Sequence, residues 1–522
     1  MINFKSKYLP LVFIVLAFIV AKIPHLSDPH YWDESWSYAT AVQKMYEKGP
    51  TLLPGSIDVD ATRGHPLLFY AAAASWMKVF GDSLPSKHAF GLFISILLLI
   101  TVYWVAYKLY NVRVAIIATI LFASQIFFFV QSSMLLPEVM VTLFFFTSVY
   151  FFVAEKYVAL AVSLTLLYLT KESGLVAGIV LGIAFLVSLF SKENSNQEKL
   201  KMFLALLFPG LIIVTFYVIQ KAQYGWFFFP QHMGLIEAKL NVFLAKFQAL
   251  LSVIIIDEKR KWLWMMMGAL AAFCFIRKQE VKWLLYITPM AIVLFFIKAS
   301  HFNFLINAIF TIVFILFILL ICFQYGRKTS RNDHQNRFII LAALLSIAYL
   351  VFCSINFYTV RYLLSPLLFS LLVFAVWLDL IIKNLNFKLY VPIAIIFVAL
   401  STQSYLKNNN TSDTGLGTYT ALAVQKDIID YLESIKAQNS QIGVGAFVQR
   451  TNLQFAACGF IKNQDETFQH VRWDIDGQTD YALFDNLEPD SRYEAIKNDP
   501  NFELVHEVTK ENVWAAVYKV KK

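Results

Sequence analysis

Continuous apolar runs separated by short polar segments fill the chain from its start to about residue 407. The runs have the length of membrane-crossing helices, and they lack the alternation over about ten residues that a transmembrane β-strand shows. The pattern therefore predicts a polytopic α-helical bundle of about thirteen spans. The predicted spans are residues 8–23, 88–107, 112–130, 139–153, 157–169, 175–190, 202–219, 262–276, 283–297, 304–323, 338–355, 363–382 and 389–400.

The distribution of basic residues predicts which side each polar segment faces. The first run follows two lysines and ends without a small-x-small cleavage site, so we expect an uncleaved first span with a cytoplasmic N-terminus. If residues 240–256 also crossed, the later basic segments 277–282, 326–337 and 383–388 would move outside, against the positive-inside rule. We therefore expect an interfacial or re-entrant helix at 240–256, in an outer loop of residues 220–261.

From about residue 408 the chain is polar and changes its pattern. One stretch has an amphipathic helical face, and the later runs "QIGVGAFV", "TDYALFDN" and "VWAAVYKV" are typical of strands. The helical face consists of Leu422, Ile428, Ile429, Leu432 and Ile435. We therefore predict two parts, a membrane domain at 1–407 and a small α/β domain at 408–522. Thirteen spans from a cytoplasmic N-terminus place the second part outside the cytoplasm.

The composition supports a membrane protein and argues against nucleic acid as a partner. Of 522 residues, 58% are hydrophobic and 15% are charged, whereas soluble domains carry about 25% charged residues. The 44 Lys and Arg exceed the 35 Asp and Glu, an excess that fits cytoplasmic loops. The four cysteines are scattered and have neither a disulfide pattern nor metal-ligand spacing.

The predicted outer loop at 24–85 is long for a connection without a function. Its segment "HYWDESWSYATAVQKMYEKG" contains the acidic pair Asp33 and Glu34, followed by an apolar face at helical spacing. A second run, "GHPLLFYAAAASWMKVFG", places Pro66 at a predicted first helical position. Both runs predict helices in the membrane interface, close to the acidic pair. The apolar face of the first helix consists of Trp36, Ala39, Val42, Met45 and Tyr46.

The acidic pair has two interpretations. In the simpler one, Asp33 caps the helix and Glu34 complements its dipole. In the other, a carboxylate at the lipid surface deprotonates an acceptor hydroxyl that attacks an anomeric carbon. The leaving group there is a lipid-linked phosphate, which a cation must hold.

The second interpretation requires more charged and polar residues on the same side of the membrane, and the chain supplies them. They are Glu138, Lys171, Glu172, His232, Arg361 and Tyr362. Ionisable residues in membrane segments mark functional sites by default. Each still has a simpler explanation, since the two cations could snorkel to head groups, Glu138 could start a helix, and His232 could be an ordinary loop residue.

Six motifs in this order resemble those of the C-type glycosyltransferases: "WDESWSYA", "GHPLLFY", "LLPEV", "LTKES", "FPQH" and "RYLLSP". Within that fold they resemble family 39, the protein O-mannosyltransferase-like enzymes, with the bacterial branch that includes lipid A aminoarabinose transferase. The resemblance implies an integral-membrane enzyme of the cytoplasmic (inner) membrane that serves glycosylation of the cell envelope. Such an enzyme moves a sugar, usually with inversion, from a polyprenyl-phosphate carrier to an extracytoplasmic glycolipid, glycan or protein.

The resemblance also implies roles for individual residues. Asp33 is the expected catalytic carboxylate with Glu34 beside it, and Glu138 is the second acidic position. The donor phosphate would contact Lys171, Arg361 and Tyr362, and the cavity would be lined by His65 and His232. Glu172 departs from the smaller residue common after this lysine, which weakens the expectation of a phosphate contact there. For a divalent cation as cofactor, the spacing of Asp58 and Asp60 makes them weak candidates for ligands, because two loop carboxylates are too few for a hard cation.

The sequence leaves two alternatives open. The first is a flippase or transporter of lipid-linked glycans, although such proteins usually show paired halves with broken helices, and the sequence shows no such halves. The second is a glycan polymerase or ligase, which would use the same lipid substrate and the same outer cations. The partners expected for the transferase are a polyprenyl-phosphate sugar, an extracytoplasmic acceptor and membrane lipids.

Overall fold

The computed structural model describes residues 4–190, 195–278, 312, 316, 333–357, 359–385, 390–462 and 466–521. The described part is a helical bundle followed by a small mixed sheet with its own helices. The predicted span at 283–297 lies outside the described residues, and so does the span at 304–323 apart from residues 312 and 316. The other predicted spans coincide with helices, which confirms a multi-pass helical membrane protein.

Six described helices are long and apolar enough to cross a membrane, and a seventh candidate is a helix pair bent by 73°. Residues predicted as the span 112–130 form two helices interrupted at Ser124 and Gln125. The bundle helices are Phe4–Lys22, Leu84–Leu109, Val112–Ala123, Ile126–Gln131, Glu138–Val153, Tyr157–Thr170, Leu175–Leu189, Asn196–Tyr224, Leu240–Ile255, Arg260–Lys278, His334–Ile355, Leu364–Leu385 and Tyr390–Thr402. The bent pair is Leu240–Ile255 with Arg260–Ile276, a geometry compatible with the predicted re-entrant helix.

Capping residues explain several helix ends. The Asn111 side chain accepts hydrogen bonds from the backbone N–H groups of Arg113 and Val114, which starts a new helix directly after the preceding one. Ser195 and Glu198 form a capping box at the start of the longest helix. That helix ends at Gly225, whose φ of +80° suits glycine.

The predicted outer loop contains helices that pack against each other and the bundle. They are Glu34–Ala39, Thr40–Lys48, Val59–Thr62 and Leu68–Phe80. Ala39, Val42 and Met45 are fully buried, as the apolar face predicts. The second long helix begins at Leu68, so Pro66 precedes it and the prediction of Pro66 as its first residue is wrong. The location of these helices at a membrane interface stays a prediction.

The C-terminal part is built around a five-stranded sheet. Its strands are β1 Gln441–Val444, β2 His470–Arg472, β3 Tyr481–Asp485, β4 Phe502–Lys510 and β5 Val513–Val520. The order is β2-β1-β3-β5-β4, with parallel pairs on either side of β1 and antiparallel pairs on either side of β5. The accompanying helices are Gly417–Ser434, Phe447–Gln454 and Tyr493–Asn498. Strands β2 and β4 were not predicted, and the last two residues of "QIGVGAFV" belong to a helix.

The C-terminal part packs directly on the loop that contains the acidic pair. The His30 N–H donates to the Cys458 carbonyl over 2.9 Å, and the Ser35 hydroxyl donates to Asn452 Oδ1 over 2.8 Å. The Tyr31 hydroxyl donates to the Thr411 carbonyl over 2.6 Å. These contacts fix the start of the loop between the bundle and the sheet. The domain boundary at 407/408 stays a prediction.

We expect Gly459→Ala to loosen this contact. Gly459 has a φ of +86°, and a Cβ there would lie 2.3 Å from Leu84 Cδ1. Gly225→Ala is the matched control, because Gly225 has a φ of +80° but open space around it. The free energy of unfolding of the control should fall only by the cost of an alanine in the left-handed conformation, about 1 kcal/mol. Gly459→Ala should lower the thermal unfolding midpoint in detergent further, and equal midpoints would contradict the packing.

Candidate functional site

The backbone around the acidic pair turns its two carboxylates in different directions. Trp32 has a φ of +50°, a strained value for a bulky side chain, and Glu34–Ala39 form a π-helical turn. Such features are common at functional sites. Asp33 precedes this turn but makes no capping hydrogen bond to its backbone. The simpler interpretation of Asp33 as a helix cap is therefore wrong.

Asp33 belongs instead to a cluster centred on Arg361. The Arg361 guanidinium donates to Asp33 Oδ2 over 2.5 Å, to Asp413 Oδ2 over 2.6 Å and to Glu138 Oε1 over 3.2 Å. The other oxygen of Asp33 accepts a hydrogen bond from the Trp36 indole over 2.7 Å. One guanidinium therefore joins three carboxylates that are far apart in the sequence.

Lys171 completes this cluster from the opposite side of Glu138. Its ammonium donates to Glu138 Oε1 over 2.8 Å and lies 4.1 Å from the centre of the Tyr362 ring. Lys171 and Arg361 are 4% and 2% exposed, so neither side chain snorkels to head groups. Glu138 holds both cations with one oxygen, which makes it an orienting group for the two positive charges.

The carboxylates of the cluster differ in exposure and in their affinity for protons. Burial alone raises the pKa of Asp33, but the Arg361 guanidinium and the Trp36 indole outweigh burial and hold that pKa below its usual value. Burial raises the pKa of Asp413, and Arg361 offsets this only in part. The Asp33 side chain is 19% exposed, compared with 8% for Asp413 and 4% for Glu138. Asp33 is thus the most accessible carboxylate of the three, and its surroundings favour the ionised form.

Asp413 is a member that the sequence reasoning missed. It lies in "NNNTSDTG" between the bundle and the sheet, where an aspartate is ordinary in a polar linker. Its backbone carbonyl accepts a hydrogen bond from the buried Gln131 side chain over 2.5 Å. The one sequence signal was its position just after the last predicted span, and that signal is too weak to identify a site.

Glu34 lies in a second, fully buried cluster with His30 and His88. Its Oε1 is 2.9 Å from His30 Nδ1 and 3.1 Å from His88 Nε2, and it also accepts the Leu135 N–H over 2.6 Å. The other oxygen accepts the Tyr31 N–H over 3.2 Å. The structure therefore does not place Glu34 beside Asp33 as a second catalytic carboxylate, and its contacts are those of a group that holds the loop.

His65 and His232 come together with Glu172. His65 Nδ1 lies 2.8 Å from Glu172 Oε2, and the two imidazole rings are 5.1 Å apart. The ligand atoms of all three lie within 4.8 Å of one another. Burial and, to a smaller extent, the neighbouring His65 lower the pKa of His232 to about 4, so His232 is neutral near pH 7. Glu172, directly after Lys171, places this triad next to the Arg361 cluster.

Asp58 and Asp60 do not form part of either cluster. Asp58 caps the helix Val59–Thr62 and accepts the Asp60 N–H, while Lys44 lies 3.4 Å away. Within the described ranges, two other groups of three side chains are close enough to share a cation, namely His30–Glu34–His88 and His65–Glu172–His232. The first is fully buried, and both oxygens of its carboxylate already accept backbone N–H groups, so the second is the better candidate.

Fold and site together define a multi-pass helical protein with a charged cluster where its helical bundle meets a small α/β part, and the fold is that of the C-type glycosyltransferases. The chain shares this fold with the oligosaccharyltransferase of Archaeoglobus fulgidus in complex with zinc and sulfate, at 12% identity over 93% of this chain and 69% of that one, with a TM-score of 0.52. The expected fold is thereby confirmed.

Other solved structures resemble the chain less closely in shape. ArnT from Cupriavidus metallidurans bound to undecaprenyl phosphate is 14% identical over 97% of both chains, with a TM-score of 0.43. The Archaeoglobus fulgidus enzyme with an inhibitory peptide and dolichol phosphate is 10% identical over 98% of this chain and 74% of that one, with a TM-score of 0.49. No protein-family model and no curated protein sequence matches.

The Glu34 cluster predicts a loss of stability in acid. Burial lowers the pKa of His30 to about 4, whereas an unfolded histidine binds a proton near pH 6.5. Burial alone raises the pKa of Glu34, but the two imidazoles outweigh burial and hold it below its usual range. Between pH 6.5 and 4 the unfolded state therefore binds more protons, and stability falls by up to about 1.4 kcal/mol per pH unit for each proton.

His30→Asn keeps a donor near the position of Nδ1 and removes the titrating group. Unfolding midpoints measured from pH 7 to pH 4 should fall less steeply for His30→Asn than for the wild type. His470→Asn, at an exposed histidine of strand β2, is the control and should follow the wild type. Identical slopes for all three proteins would contradict this assignment.

Proposed function

We propose that the protein is a glycosyltransferase that moves a sugar from a polyprenyl-phosphate donor to an extracytoplasmic acceptor. The observation that carries this proposal is the Arg361 cluster, in which two buried cations lie beside the accessible carboxylate Asp33. A phosphate leaving group requires charge neutralisation, and a hydroxyl nucleophile requires a base. The shared fold and the order of the sequence motifs support the same class.

Donor binding requires the cluster to rearrange. Asp33, Glu138 and Asp413 contribute three negative charges when ionised, against two positive charges from Lys171 and Arg361. With all three carboxylates ionised, a phosphate would enter a site with a net charge of −1. Asp33 is the most exposed carboxylate, so we infer that the donor phosphate displaces it from Arg361. Arginine can then offer its planar fork to two phosphate oxygens, with Lys171 as a point charge.

The same displacement prepares Asp33 for catalysis. Once separated from Arg361, its carboxylate becomes a stronger base, because the nearby positive charge no longer favours the ionised form. It then takes the proton from the acceptor hydroxyl while that oxygen forms a bond to the anomeric carbon. The bond from the anomeric carbon to the phosphate oxygen breaks, and its electron pair leaves with the phosphate. Attack opposite the leaving group inverts the anomeric centre.

We further propose that His65, Glu172 and His232 bind a divalent cation. Two imidazoles and one carboxylate are a common ligand set for Zn²⁺, with a fourth position open to a substrate or water. The residues fit this role, since His65 and Glu172 are already 2.8 Å apart and His232 is neutral. Such a cation would add positive charge on the side of Lys171, where the donor phosphate is expected.

The proposed location is the cytoplasmic membrane, with the N-terminus inside. The Arg361 cluster and the C-terminal part would then lie outside the cytoplasm. A polymerase or ligase would use the same cluster and differ in transferring a whole chain. A flippase would move the donor across vesicles without changing the acceptor. Analysis of the product by mass spectrometry, beside a translocation assay in vesicles, separates the three.

Asp33→Asn should reduce sugar transfer by about 10²- to 10⁴-fold, the usual contribution of a general base. The measurement is transfer from a polyprenyl-phosphate sugar in a purified, reconstituted preparation. Donor binding should persist or strengthen, because the cluster loses one negative charge. Asp58→Asn, in the same loop, keeps a helix-capping residue and should retain full activity. Unimpaired transfer by Asp33→Asn would contradict the proposed role.

The cation site can be tested without measuring transfer. The wild type purified in the presence of Zn²⁺ and then dialysed should retain about one equivalent by elemental analysis. His65→Ala and His232→Ala should each lose it. His506→Ala is the control, because His506 pairs with Asp427 in the C-terminal part and should retain the metal. A wild type without bound metal would contradict the site.

A further inference from the structure

A strip of aromatic side chains begins at Asp33 and continues onto the C-terminal part. The Trp36 indole bonds to Asp33, and its ring centre lies 5.2 Å from that of Phe447 in an edge-to-face arrangement. Phe447 in turn stacks on Trp473, with ring centres 6.0 Å apart and planes at 19°. Phe447 and Trp473 are 42% and 38% exposed. An accessible aromatic surface therefore starts at the proposed base.

Two arginines lie against this strip. The Arg63 guanidinium is 4.9 Å from the centre of the Trp36 ring, and that of Arg450 is 5.9 Å from the centre of the Trp473 ring. Arg450 follows Phe447 by three residues in the helix Phe447–Gln454, so both side chains lie on one face. Its Nε donates to the Gln454 amide oxygen over 3.2 Å, which leaves the two terminal nitrogens of the fork for a ligand.

Neither arginine of the strip has a carboxylate within 4.0 Å among the residues that the structure describes. The other arginines of the C-terminal part are paired, since Arg472 lies 2.6 Å from Asp476 and Arg492 lies 2.5 Å from Asp490. Unpaired guanidinium groups beside exposed rings form a surface that complements an anion with apolar faces.

We propose that this strip, formed by Trp36, Arg63, Phe447, Arg450 and Trp473, binds the acceptor, and that the acceptor is a saccharide with phosphate or carboxylate groups. This inference rests on the proposed transferase function. The C–H groups on one face of a sugar ring carry small positive charges and pack on the negative face of an aromatic ring. The arginines then bind the anionic substituents. Because the strip begins at Asp33, one hydroxyl of the bound saccharide lies next to the proposed base.

A peptide acceptor fits the strip less well. Extended peptides commonly bind by adding a strand to an exposed sheet edge. The edge strand next to Trp473 is β2, which has only three residues and offers little backbone for pairing. Flat exposed rings with unpaired arginines at their sides suit a saccharide better.

Direct binding tests this inference separately from catalysis. Full-length protein in nanodiscs is titrated with an oligogalacturonate, with a neutral oligosaccharide of equal length and with an acidic peptide, and binding is followed by tryptophan fluorescence and calorimetry. We expect the oligogalacturonate to bind most tightly. Trp473→Ala should weaken its binding at least tenfold. Phe455→Ala removes an equally exposed ring outside the strip and should leave the affinity unchanged.

Arg450→Gln gives a second variant at a partly exposed position, where folding is at little risk. It should weaken binding of the oligogalacturonate and leave that of the neutral saccharide unchanged, whereas Arg472→Gln should change neither. The inference is wrong if Trp473→Ala and Arg450→Gln both bind the oligogalacturonate as the wild type does, or if the acidic peptide binds more tightly than either saccharide. Both proposals are supported if Asp33→Asn loses sugar transfer but binds the oligogalacturonate as tightly as the wild type. If Asp33→Asn retains sugar transfer, only the proposed catalytic role of Asp33 is overturned.

Discussion

The guanidinium of Arg361 is held by carboxylates from three separate segments, and this constraint fixes the relative positions of the main parts of the protein. Asp33 comes from the long loop after the first helix, Glu138 from the start of a bundle helix, and Asp413 from the linker to the sheet. A buried charge is tolerated only when it is paired and hydrogen-bonded. Removal of one carboxylate would therefore disturb the loop, the bundle and the linker together.

The same constraint links substrate binding to the state of the site. Arg361 cannot offer its fork to a phosphate while all three carboxylates hold it. The carboxylate that yields most readily is Asp33, which is also the proposed base. In the proposed mechanism, donor binding releases Asp33 to act as the base, and without the donor Asp33 stays paired with Arg361. The linker position of Asp413 extends this coupling to the C-terminal part, where the proposed acceptor strip lies.

The sequence predicted those site residues that stand out chemically from their surroundings. Lys171 and Arg361 are visible because cations are rare in apolar segments, and Asp33 because an acidic pair follows a span. Asp413 was missed because an aspartate in a polar linker is ordinary. The different surroundings of Asp33 and Glu34 depend on the left-handed Trp32 and on a π-helical turn, which no local pattern indicates. The contact of Trp36 with Phe447 joins residues more than four hundred positions apart, so only tertiary structure reveals it.

The most direct test of the proposed role of Arg361 is an experimental structure of the protein with a polyprenyl phosphate bound. We expect phosphate oxygens within hydrogen-bond distance of both Arg361 and Lys171, with the Asp33 carboxylate released from Arg361 and facing an open space. A phosphate bound elsewhere, with the ion pair between Arg361 and Asp33 intact, would contradict it.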